Sequence, residues 1–165
     1  MQFDLTRRLA AEALGTFFLV MAVVGSGIMA QKLAGGNEAL ALLCNTLATA
    51  AVLVVIITIF IPVSGAHFNP AVTVVMALRG AIARGPAVAY VVVQVFGGCL
   101  GAVAAHLMFG LEPVQFSGTA RNGFGQWLGE FIATFGLIAT ILGCVRFRPE
   151  AIPAAGSATS MYGQR

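Results

Sequence analysis

The residues best placed to do chemistry are two carboxylates in apolar company, Glu12 and Glu130, and the stretch Ser64-Gly65-Ala66-His67-Phe68-Asn69-Pro70-Ala71-Val72-Thr73 between them. Asn is a good helix N-cap, and Pro suits the first helical position. A helix is therefore expected to begin at Asn69-Pro70 and to end near Arg79, with Gly80 as its stop. Eleven residues at about 1.5 Å each span roughly half a bilayer core. The expected object is a half-helix of residues 69–79 behind an irregular loop, Val63–Phe68. The loop carbonyls, having no regular partners, would accept hydrogen bonds. The Asn69 amide would donate them, beside the positive end of the half-helix dipole. Such a set suits a small neutral molecule with hydroxyls and repels cations, protons included. His67 has no Ser/His/Asp set or paired carboxylate with it, so no covalent chemistry is implied.

The rest of the chain must hold that loop at membrane depth. Of the 165 residues 59% are hydrophobic and 9% charged, and the mean hydropathy is +0.93, well outside the ordinary globular range. Four apolar runs are each long enough to span a bilayer, at about 8–31, 39–61, 86–109 and 124–145. The first is longer than a signal-peptide core, and more spans follow it. With the N-terminus inside, Arg7, Arg8, Arg79, Arg84, Arg146 and Arg148 lie at cytoplasmic ends, and only Lys32 and Arg121 lie outside. The net charge of +3 thus reads as topology, and nucleic acid is not an expected partner. Cys44, Cys99 and Cys144 lie in apolar runs, without metal-ligand spacing, and are expected to be buried small residues. Gly97, Gly101 and Ala105, with Gly98 and Ala102 beside them, mark close helix packing, within the bundle or between subunits. His106 reads as structural.

Glu12-Ala13-Leu14-Gly15-Thr16-Phe17 recurs 118 residues later as Glu130-Phe131-Ile132-Ala133-Thr134-Phe135. Three spans lie between the copies, so the second starts from the opposite side, an inverted repeat. A second Asn-Pro-Ala would then fall beyond residue 165. Residues 154–165 are polar and read as the tail of a truncated or frame-disrupted chain.

Ser-Gly-Ala-His-Phe-Asn-Pro-Ala-Val-Thr resembles the first signature loop of the aquaporin and aquaglyceroporin family, the major intrinsic proteins. Ala11–Phe17, Tyr90–Gly98 and Gly129–Phe135 resemble the family's first, third and fourth helices. The resemblance implies an all-α membrane protein of four spanning helices plus one re-entrant half-helix, the first repeat and the start of the second, over residues 1–153. It implies a passive channel for water and small neutral solutes, glycerol-like polyols or metalloid hydroxides such as arsenous acid. It further implies a homotetramer in the cell membrane, no cofactor, no metal and no enzymatic step. Gly65, Ala66, His67, Asn69, Pro70 and Ala71 would line the path. Thr49, about twenty residues before Asn69, would leave one wall of the filter wide, unless it simply bonds back to its own helix. Glu12 and Glu130 would accept from loop backbone N–H groups. The alternative is a non-conducting remnant or structural four-span protein, because a second loop is missing. A membrane enzyme using His67 is a further rival, opposed by the absence of any partner set.

Overall fold

Capping chemistry sets where each helix starts and stops. The computed structural model describes residues 3–115, 118, 122–147 and 151–153. Asp4 caps α1 (Leu5–Leu33), its carboxylate accepting from the Arg7 N–H at 2.9 Å. Asn37 does the same for α2 (Glu38–Ser64), accepting from Leu40 at 3.0 Å. Asn69 caps α3 (Pro70–Leu78), with Pro70 at its first position. This short helix closes when Gly80, at φ 73°, lets the Ala81 N–H turn back to the Met76 carbonyl at 2.9 Å. Then come α4 (Arg84–Met108) and α5 (Phe124–Phe147). The expected sites Arg121 and Arg148 and the tail 154–165 lie outside the described residues.

Most helix ends lie a few residues from the sequence reading, and two of these differences fall at proline. The second span is expected to end at Ile61, ahead of Pro62, but α2 runs on to Ser64. A proline within a helix forfeits its own N–H bond, and the helix resumes if the next donors find partners. Here the Gly65 N–H reaches the Ile61 carbonyl at 3.1 Å. The irregular loop accordingly starts at Gly65, not Val63. Helix α4 starts two residues ahead of Pro86, because first-turn N–H groups have no intrahelical acceptor to lose.

Helix α1 packs along both α2 and α4; α3 rests on α4, and α5 meets only α3 among the described residues. Gly97 and Gly101 sit in the α1–α4 seam, where a Cβ would overlap the carbonyls of Ala13 and Phe17. The small-residue stripe thus serves packing within the bundle. Leu9 packs on Ile82, Ala87 and Tyr90, which gathers Arg8, Arg79 and Arg84 at one end of the bundle. Lys32 stands over the Phe109 ring at the other end, 5.3 Å from its centroid.

The apolar side chains point outwards. Leu43, Leu47, Val55, Ile59, Val92 and Phe96 are all exposed. Four helices, of 29, 27, 25 and 24 residues, are long and apolar enough to cross a membrane. An apolar exterior on helices of that length requires lipid as the solvent, and the chain is a multi-pass membrane protein. The cysteines correct the reading above: Cys44 and Cys99 are exposed and Cys144 half-buried, since a lipid-facing surface accepts a small apolar side chain as readily as a core does.

Candidate functional site: a re-entrant loop pinned by a buried carboxylate

The five residues between α2 and α3 cannot form a helix or a strand, so their backbone groups need partners from elsewhere. Three of them, Gly65, Ala66 and Phe68, hold positive φ at 91°, 52° and 48°. For Ala66 and Phe68 that is a strained choice, held only if the surroundings over-determine it. Glu12 on α1 supplies the determination. Its side chain is fully buried. One carboxylate oxygen accepts from the Ser64 hydroxyl at 2.6 Å and the His67 N–H at 3.0 Å. The other accepts from the Phe68 N–H at 2.8 Å and the Gln94 amide at 2.8 Å. Ser64 in turn accepts from the Ala66 N–H at 3.1 Å. Four donors on two oxygens satisfy a carboxylate without a cation; the ion pair among the described residues is the exposed Arg7–Asp4 contact.

Packing holds the loop from its other side. Phe68 lies against Ile56 and Ile57, edge-on to Phe60 with ring centroids 5.9 Å apart. Its ring fills the space where a Cβ on Gly15 would stand, so Glu12 and Gly15, one turn apart on α1, grip the loop by hydrogen bonds and by shape. With the N–H groups of Ala66, His67 and Phe68 drawn inward, no donor among the described residues reaches the carbonyls of Gly65, Ala66 and His67. Asn69 accepts from the Ala71 N–H at 2.8 Å through Oδ1, leaving its Nδ2 to donate elsewhere. Unpaired acceptors thus sit beside an amide donor and the positive end of α3.

Two site residues carry no assigned role in the sequence reading. Gln94, 1% exposed, donates to Glu12 and at 3.0 Å to the Thr73 hydroxyl, tying the carboxylate to α3. Tyr90, one turn earlier on α4 and fully buried, donates to the Ser64 carbonyl at 2.9 Å. It accepts from the Arg8 guanidinium at 2.8 Å, which lies over its ring. That places a cation near the negative end of α2. A usable signal was present: tyrosine and glutamine at i and i+4 within an apolar run must both find partners on one helix face. Tyr90→Phe is expected to lower stability by about 1–2 kcal/mol, because the buried Ser64 carbonyl loses its donor. Denaturant unfolding in detergent micelles measures it; an unchanged midpoint would show that the Ser64 carbonyl finds another donor.

Thr49 and Glu130 stand apart from this assembly. Thr49 is 2% exposed, its hydroxyl 3.5 Å from Asn45 Oδ1. Asn45 bonds across to Ser26 on α1 at 2.9 Å. Thr49 lies one turn along α2 from that α1–α2 contact. Glu130 is exposed on α5, with no hydrogen bond to the loop among the described residues. His106 bonds to the Pro113 carbonyl at 3.0 Å, fastening the chain after α4.

The family model described as major intrinsic protein matches residues 1–156. The aquaglyceroporin AqpS of Rhizobium meliloti (strain 1021) is 57% identical over 152 residues, covering 92% of this chain and 65% of its own length. Aquaporin NIP1-3 of Oryza sativa subsp. japonica is 37% identical over 139 residues, covering 83% of this chain and 48% of its own. Nodulin-26 of Glycine max is 34% identical over 143 residues, with 83% and 50% covered. The chain thus spans about half to two thirds of the length of these relatives.

Proposed function

We propose a function from one premise: the chain belongs to the major intrinsic protein family. Its residues build part of a passive membrane channel for water and small neutral solutes. The supporting observation is the loop itself. Glu12 takes up the inward N–H groups, and the carbonyls of Gly65, Ala66 and His67, beside Asn69, meet no donor among the described residues. A solute with hydroxyls gives hydrogens to those carbonyls and accepts from the Asn69 amide. The adjoining half-helix dipole disfavours cations. Glycerol-like polyols and metalloid hydroxides such as arsenous acid are the solute class, in keeping with the aquaglyceroporin among the relatives. Pro70 and Ala71 belong to this path as the first turn of α3. Glu130 would serve a second loop as Glu12 serves the first. No cofactor or enzymatic step enters.

The same reading puts the N-terminus in the cytoplasm of a cell whose plasma or inner membrane holds the protein. Arg8, Arg79 and Arg84 share one end of the bundle, and the positive-inside rule places that end on the cytoplasmic side. The assembly is a homotetramer. Because the chain spans 65% of the length of AqpS, the conducting test uses a chimera in which its matching residues replace those of that relative. Stopped-flow light scattering on vesicles is expected to give glycerol flux well above bare lipid and no conductance to sodium. A chimera that inserts and folds but passes glycerol no faster than lipid would contradict the reading.

A further inference from the structure

The hydrogen bonds around His67 form a chain with a fixed direction. Each partner of Glu12 is a donor, so Gln94 must present its NH₂ group to the carboxylate, and Gln94 Nε2 is 2.8 Å from it. The second hydrogen on that nitrogen points to Thr73 Oγ1, 3.0 Å away. Thr73, an acceptor on that side, places its own hydrogen on the Asn69 carbonyl at 3.1 Å, as a threonine in a first helical turn commonly does. Two contacts of Thr73 remain, a longer one to Gln94 Oε1 at 3.4 Å and one to His67 Nδ1 at 3.1 Å. With the hydroxyl hydrogen spent on Asn69, the imidazole is left to donate there. The other ring nitrogen, Nε2, has no partner among the described residues. It lies beside Gly65, where a Cβ would stand 3.5 Å from it. An unpaired lone pair is tolerated at such a depth better than an orphaned N–H, which favours the same assignment. The ring is held in place by Tyr90, edge-on with centroids 5.4 Å apart.

We infer that the chain Glu12–Gln94–Thr73 fixes His67 with its proton on Nδ1 and turns Nε2 into a side-chain acceptor for a hydroxyl of the permeating solute. This rests on the channel reading for its ligand and extends it. His67 would hold the solute with its ring as well as with its carbonyl, next to the open carbonyl of Gly65. Thr73 and Gln94 are then positioning residues, acting through the ring and not on the solute.

The chain holds only two histidines, so ¹⁵N-histidine labelling of the full chain in detergent, with His106→Asn to remove the second signal, reads the tautomer directly. At a pH where the ring is neutral, Nδ1 should resonate as the protonated nitrogen and Nε2 as the bare one. Thr73→Val should move the population towards the Nε2–H form, and Thr73→Ser, which keeps the hydroxyl, should leave it alone. Adding glycerol should shift the Nε2 resonance more than the Nδ1 resonance. A protonated Nε2 in the parent chain would overturn the inference, and so would glycerol that leaves Nε2 unmoved. The tautomer readout needs no transport. A chimera without flux but with Nδ1 protonated would sink the channel reading alone, whereas flux with a protonated Nε2 would sink this one alone.

Discussion

Glu12→Ala is expected to be the most damaging single substitution in this chain. It removes both oxygens at once and leaves the His67 and Phe68 N–H groups, the Ser64 hydroxyl and one Gln94 hydrogen without acceptors. Each orphaned buried donor costs roughly 1–3 kcal/mol. Some relax towards one another, so the total is expected at about 3–5 kcal/mol, not the full sum. Glu12→Gln keeps one oxygen and brings an NH₂ group against two donors. Gln94 can answer by turning its own carbonyl oxygen to that NH₂, which restores one contact and leaves the Phe68 N–H orphaned. A loss of about half that of alanine follows. Denaturant unfolding of the three proteins in the same detergent measures the ranking. Equal stability of the Ala and Gln variants would mean that the carboxylate is not what holds the loop.

The second large effect is expected at Gly97. A methyl group there would overlap the Ala13 carbonyl, and backbone of a packed helix cannot step aside as a side-chain tip can. Gly97→Ala must push α1 and α4 apart, at a cost of about 2–3 kcal/mol, the upper end of overpacking costs. Gly97→Val should prevent the native pairing altogether. Gly98, its neighbour, is the control. A Cβ at that position meets Val20 and Thr16 side chains at 3.5 and 3.6 Å, ordinary contact distances, and Gly98→Ala should be near neutral or slightly stabilising. The same unfolding assay compares them. A Gly98→Ala variant that suffers as much as Gly97→Ala would contradict the packing of α1 on α4 described above.

The two effects come from features that the sequence exposes to different degrees. The half-helix was legible because asparagine and proline announce a helix start whatever surrounds them, and Gly80 announces the end. The spans were legible because lipid-facing helices must be apolar all round. Pro62 misled, since a proline ends a helix only when the donors after it go unpaired, and local sequence does not reveal that. Polar residues within spans raise the question of partners without answering it. For Glu12 the resemblance suggested a role as acceptor. For Tyr90 and Gln94 nothing local points to Ser64 or Thr73, because those contacts exist only once α4 lies across α1 and α3.

A buried carboxylate, Glu12, holds the re-entrant loop with its N–H groups inward and its carbonyls open. Amide hydrogen exchange on the whole chain in detergent, read residue by residue, tests it most directly. The His67 and Phe68 amides should exchange as slowly as those in the middle of α1, although they lie in no helix. In the Glu12→Ala variant both should lose that protection while α1, α2 and α4 keep theirs. Fast exchange of His67 and Phe68 in the parent chain, or protection that survives the loss of Glu12, would contradict the account.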